Sequence, residues 1–172
     1  MALKTTFGEG SKTVSIDNAV LGTLPKHLLF TELRNIDFTV SVNTNPFLFK
    51  YFGLNHFVMY VDGRQVPSEG LTIINGSAKT YTMTYQSFLN VLGIHHGKSA
   101  STQFMKGSFM HVFNLTPDGC VSDGHTIPPE NGSISIELKL DEALVEAVTI
   151  VLYQEFDDCI QIDRLKKVTT DF

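Results

Sequence analysis

Six histidines, His27, His56, His95, His96, His111 and His125, and two cysteines, Cys120 and Cys159, are the side chains of this chain best suited to hold a metal or carry a reaction. A metal site on an antiparallel barrel needs two histidines alternating on one strand, a carboxylate close by and a further histidine, all pointing inward. His95 and His96 are adjacent and would point to opposite faces of a strand, since side chains alternate along it. His111 and His125 lie across a loop with no carboxylate at matching spacing. Nucleophilic chemistry fares no better. There is no G-x-S-x-G elbow, and Cys120 sits between Gly119 and Val121 with His125 as its nearest base in sequence. Gly8-Glu9-Gly10 lacks the further glycine, lysine and helix of a phosphate loop. Asp157-Asp158 reads as a turn pair. The expectation is of no enzyme, no cofactor and no metal.

Composition agrees with a building role. A chain of 172 residues, 42% hydrophobic, has length for one core, and its net charge of −5 comes without a basic block, against specific nucleic-acid binding. The two cysteines read as a reduced interior pair. No charged-then-apolar leader and no apolar run near 18 residues is present, so neither signal-directed secretion nor membrane insertion is expected. The triplets at Asn75, Asn114 and Asn131 then read as turn and strand-end chemistry.

The elements that would position any site are mostly strands. His56 to Val61 alternates Phe57/Met59/Val61 with Val58/Tyr60. Asp62-Gly63 supplies a type I′ hairpin turn, and Arg64 to Val66 returns until Pro67 stops the ladder. Leu3–Phe7, Lys12–Asp17, His27–Leu33 as an inner strand, Asn35–Val42, Ser108–Leu115 and Ser133–Leu140 follow the same logic, the last with Ile134, Ile136, Leu138 and Leu140 inward. Ala147–Phe156 and Ile160–Ile162 flank Asp157-Asp158 as a last hairpin. Lys79–Leu92 is the one helix, with Tyr81, Tyr85, Phe88, Leu89 and Leu92 at steps of three and four. About eight strands, one short inserted helix and long loops predict an all-β antiparallel sandwich of jelly-roll type. It spans residues 1–172 as a single domain, with 163–172 as a C-terminal arm.

Several runs also resemble a known family. They are NPFLFKYFGLNHFVMYVDGRQVPSEGL (45–71), GIHH (93–96), FNLTPDG (113–119), SDGHTIPPENGSISIELKL (122–140) and IDRLKKVTTDF (162–172). They resemble the C-terminal half of the hexon-like double jelly-roll major capsid proteins of Maverick/Polinton elements and adintoviruses, from about Asp17 to Phe172, with VDGRQVPSEGL and the terminal VTTDF the most specific wording. The resemblance implies a structural protein that self-associates as trimers or hexamers, alone or with other capsid proteins. It would reside in the virion capsid after intracellular assembly in cytoplasm or nucleus, free of membrane. Family members carry two rolls, and this length holds one, as in a fragment, a domesticated genomic copy or a single-roll relative. Assembly contacts are expected from the aromatic segment Phe47, Phe49, Tyr51 and Phe52, as anchors if exposed and as core if buried. The tail Thr169, Thr170, Asp171 and Phe172 is the second expected contact. A carbohydrate- or ligand-binding sandwich module, and less so a cupin-type metalloprotein, are the alternatives.

Overall fold

The computed structural model describes residues 2–39, 43–72, 85, 88–89, 107, 109–116, 130–156, 160–162, 164 and 166–170. Its architecture grows from the turn at Asp62-Gly63. Both residues take positive φ, 48° and 75°, as a type I′ turn requires, so β4 (Leu54–Val61) runs directly into its antiparallel partner β5 (Arg64–Thr72). Moving outward along the chain in both directions, β3 (His27–Arg34) pairs with β6 (Met110–Asn114). Next, β2 (Thr13–Thr23) pairs with β7 (Asn131–Leu140), and β1 (Ala2–Phe7) with β8 (Val148–Glu155). This is one long hairpin. Its two arms fold over because β3 also pairs with β8 and β4 with β7, which gives two four-stranded sheets in the orders β1-β8-β3-β6 and β2-β7-β4-β5. That wrapping is the jelly roll, and the predicted antiparallel sandwich holds.

The core lies between the sheets and follows strand parity. On β7, Ile134, Ile136, Leu138 and Leu140 are buried, while Glu137 and Lys139 face out. Val14, Ile16 and Val20 of β2 and Phe57 and Met59 of β4 complete that inner face. Opposite them stand Leu28 and Phe30 of β3, Phe113 of β6, and Val148, Ile150 and Leu152 of β8. Phe57 links the two layers: its ring meets Phe30 edge-on at 5.1 Å and stacks on Phe113 at 5.1 Å.

Three predicted elements are corrected. Asn35–Val42 reads as a strand by its period, but β3 ends at Arg34 and a single helical turn, α1 (Asn35–Phe38), follows. The Arg34 guanidinium grips the buried Asp37 carboxylate with both Nε and a terminal nitrogen, at 2.7 and 2.8 Å. An i,i+3 grip of this kind needs a turn between the two residues. The Asn35 carboxamide oxygen also accepts the Thr149 hydroxyl at 3.0 Å. Pro67 interrupts the ladder as expected, since the pairing breaks after Val66, but it does not end the strand. The bond before it is cis, and β5 resumes at Leu71, with Val66 opposite Met59 and Leu71 opposite Phe57. β5 lies at the sheet edge, where an irregularity absorbs residues 67–70 and no ladder partner needs the missing N–H. Finally, β9 (Ile160–Ile162) does not pair with β8; it pairs with β10 (Val168–Thr170) as a separate two-stranded ribbon. Both edges of β8 are already taken by β1 and β3.

Of the predicted helix 79–92, Tyr85, Phe88 and Leu89 are helical and half-buried, with Tyr85 and Phe88 packed against the core; the rest of it lies outside the described residues. The loop 93–106 lies wholly outside them.

The tip of the wrapped hairpin is fastened to β7. Asp62 N–H donates to the Ser133 carbonyl at 2.9 Å, and its carboxylate accepts the Ser133 N–H at 2.7 Å. Gly132 makes this approach feasible, since a Cβ there would fall 2.5 Å from an Asp62 carboxylate oxygen. Gly132→Ala is therefore expected to destabilise by roughly 1–3 kcal/mol, the range for forcing extra atoms into a filled site. Urea denaturation checks this, and adding Asp62→Ala should recover part of the loss.

Candidate functional site

Asn45-Pro46 opens the aromatic segment with a turn. The Asn45 side-chain oxygen accepts the Phe47 N–H at 3.0 Å and its carbonyl accepts Leu48 N–H at 3.2 Å, a local bond pattern that asparagine offers readily. The turn throws Phe47 outward with 75% of its surface exposed. Phe49 is half-buried and stitches backbone to backbone, its N–H donating to Gly107 O at 3.0 Å and its carbonyl accepting Phe109 N–H at 3.2 Å. Tyr51 meets Phe109 edge-on at 5.4 Å, and both Tyr51 and Phe52 pack against the core. Of the four aromatic residues expected at contacts, the structure thus presents Phe47 to solvent and gives Tyr51 and Phe52 the core role.

The segment is held by a residue whose role the sequence reading missed. Glu32 of β3 is 2% exposed and points between the sheets. Its backbone carbonyl accepts Lys50 N–H at 3.2 Å, and its side chain accepts the Phe52 N–H. The surroundings are otherwise apolar: Phe7, Val14, Leu140, Leu144 and Ile150 stand among its neighbours. Burial pushes the carboxyl up to about 8, against a smaller opposing effect of the Phe52 N–H, so at neutral pH it is predominantly the neutral acid. One signal was present in the sequence: Glu32 shares the inward parity of Leu28 and Phe30.

His111 is the second polar group in the interior. It is fully buried on β6 within an aromatic box, stacked on Phe57 at 5.4 Å, edge-on to Phe109 at 4.8 Å and tilted to Phe30 at 5.7 Å. Neither ring nitrogen has a hydrogen-bond partner among the described residues. Burial lowers its pKa to about 3, so the ring is neutral and behaves as one more aromatic core residue.

Among the described residues, the other histidines do not converge on it. His27 pairs with Glu155 at 3.0 Å at the start of β3, and His56 Nδ1 lies 3.2 Å from the Thr72 hydroxyl across β4 and β5. Among the described residues no three of His, Cys, Asp and Glu come together as a metal-holding group. His95, His96, His125, Cys120, Cys159, Asp157 and Asp158 lie outside the described residues. The Asn114 carboxamide oxygen accepts both the N–H and the hydroxyl of Thr116, at 2.9 and 2.6 Å, so that triplet is a strand-end turn as expected. In the tail, Thr169 and Thr170 belong to β10, opposite Gln161 and Ile160, so the described part of 163–172 folds back on the chain. Asp171 and Phe172 lie outside the described residues.

The Phe52 side of this site opens to the surface as a groove of about 330 Å³, walled by Phe52 and Leu144 and rimmed by Asp141, Glu142 and Glu146. Asp141 is fixed there: its N–H donates to Gly53 O at 2.8 Å and its Oδ1 accepts the Asn55 amide. Its Oδ2 is buried without a hydrogen-bond partner among the described residues. No helix among the described residues is long and apolar enough to cross a membrane. Compared with protein-family models and with curated proteins, the chain matches none.

Proposed function

We propose that this chain is a structural building block of a virus-type shell, a single jelly roll that works by associating with copies of itself. The observation that carries the reading is the wrapping order of the eight strands. It is the architecture implied by the resemblance to hexon-like major capsid proteins of Maverick/Polinton elements and adintoviruses. A fold alone does not fix a function, so the reading also draws on the surface. A shell protein needs a stiff body with anchors at its rim. The interlocked sheets supply the body, and Phe47, held outward by the Asn45 turn, supplies an aromatic anchor of the kind that dominates protein contacts.

Absolute mass by light scattering over a concentration series, with negative-stain images of the largest species, tests the reading. A discrete trimer, hexamer or larger closed particle is expected. A strict monomer up to the highest soluble concentration overturns it. Phe47→Ser should weaken the association at least about tenfold, as for an interface anchor, while leaving the unfolding free energy within roughly 0.5 kcal/mol because the ring touches little in the monomer.

A further inference from the structure

The groove beside Phe52 has two kinds of wall. Phe52 and Leu144 offer apolar surface, and Val145 at the lip is 85% exposed; Asp141, Glu142 and Glu146 offer negative charge with no basic residue between them. Such a combination suits a side chain with an apolar stem and a cationic head, a lysine or an arginine. Arg34, which feels Glu146, is already committed, with its fork on Asp37. The loop is also held in shape. Leu144 N–H donates to Ser11 O at 2.9 Å, its carbonyl accepts Gly10 N–H at 2.8 Å, and Asn35 N–H donates to Ala147 O at 2.9 Å. A preformed groove pays little ordering entropy when it is filled.

The matching cations are on this chain. The turn of the β9–β10 ribbon, between Ile162 and Val168, carries Arg164, Lys166 and Lys167, of which Arg164 and Lys166 are exposed and in no ion pair among the described residues. Val168 beside them is 57% exposed. The ribbon pairs with neither four-stranded sheet, and a two-stranded ribbon of three-residue strands is marginal in water on its own. From this charge complementarity we infer that the basic ribbon turn of one copy seats in the acidic groove of a second copy. The contact is head-to-tail, joins two different surfaces, and so can close a ring or continue a lattice. It rests on the self-association proposed above and names the surfaces that make it.

A charge-swap experiment tests it. Glu142→Lys with Glu146→Lys makes the groove basic; Arg164→Glu with Lys166→Glu makes the turn acidic. Each double variant alone should associate at least about tenfold more weakly than the parent chain at low salt, because like charges then face each other. An equimolar mixture should recover association, since each variant keeps or gains the surface that the other needs. Recovery should fade at high salt. Circular dichroism of each variant, expected to match the parent chain, separates lost contact from lost fold. If the variants assemble like the parent, this contact is wrong and the shell reading stands. If each is impaired and the mixture recovers nothing, the pairing of these two surfaces is wrong. If the parent chain never associates, both readings fall.

Discussion

Between about pH 4.5 and 6.5 the combined contribution of Glu32 and His111 to unfolding free energy is expected to be flat, falling on both sides. Glu32 has its folded pKa raised from 4.5 to about 8. In that window the native state keeps a proton the unfolded chain has lost. The stability Glu32 contributes is therefore complete below 4.5 and is lost as pH rises toward 8. His111 has its folded pKa lowered from 6.5 to about 3, so its contribution is complete above 6.5 and is lost as pH falls toward 3. Where the windows overlap, one proton gained on unfolding cancels one lost. Above 6.5 only Glu32 still counts, and each proton is worth about 1.4 kcal/mol per pH unit, so roughly 2 kcal/mol disappears by pH 8. A loss of similar size accompanies the fall from pH 4.5 to 3.

Urea midpoints measured across this range, in the parent chain and two variants, isolate these groups from the surface carboxylates. Glu32→Gln keeps an acceptor for the Phe52 N–H and removes the titration, so the alkaline fall should vanish while the acid one persists. His111→Phe should do the reverse. It should also leave neutral stability the same or higher, since it removes two ring nitrogens without hydrogen-bond partners among the described residues from an aromatic box. An alkaline fall of equal steepness in Glu32→Gln would show that Glu32 is not the titrating group.

Glu32 also marks where sequence reading ends. Strand periods and turn chemistry are local, which is why β7 with its four alternating aliphatics and the Asp62-Gly63 turn were legible residue by residue. Parity alone puts Glu32 inward, but what holds its carboxyl is the N–H of Phe52, which lies across a turn no local pattern predicts. The same holds for Asn35–Phe38. The period of 35–42 is that of a strand, and the Arg34–Asp37 grip overrides it over these four residues, while 40–42 lie outside the described residues. Phe47 and Phe52 are one residue type a few positions apart, and the Asn45 turn decides that one is exposed and the other packs on the core. The pairing of β1 with β8 across almost the whole chain leaves no local trace; sequence supports a jelly roll only through strand count, loop length and resemblance.

Phe57→Ala is expected to produce the largest loss of any single core truncation here, roughly 3–5 kcal/mol, or a melting temperature lower by on the order of 10 °C. The site is fully buried at the middle of β4, and the ring contacts both sheets: Phe30 edge-on, Phe113 and His111 face to face. Removing it leaves a cavity whose far wall belongs to the opposite sheet, so neither sheet can collapse into it without shifting its neighbours' register. Phe47→Ala, ten positions earlier, should change stability by less than about 0.5 kcal/mol, because that ring is mostly in solvent. The contrast between the two is the measurement; a cost below about 1 kcal/mol for Phe57→Ala would mean the sheets are not joined through this ring. One further consequence ties the site to its titration. The Phe57 ring is one face of the box around His111, so a cavity there admits water to the imidazole and restores part of its hydration. The His111 pKa should then rise from about 3 toward its ordinary 6.5, and the acid fall should become shallower in Phe57→Ala than in the parent chain.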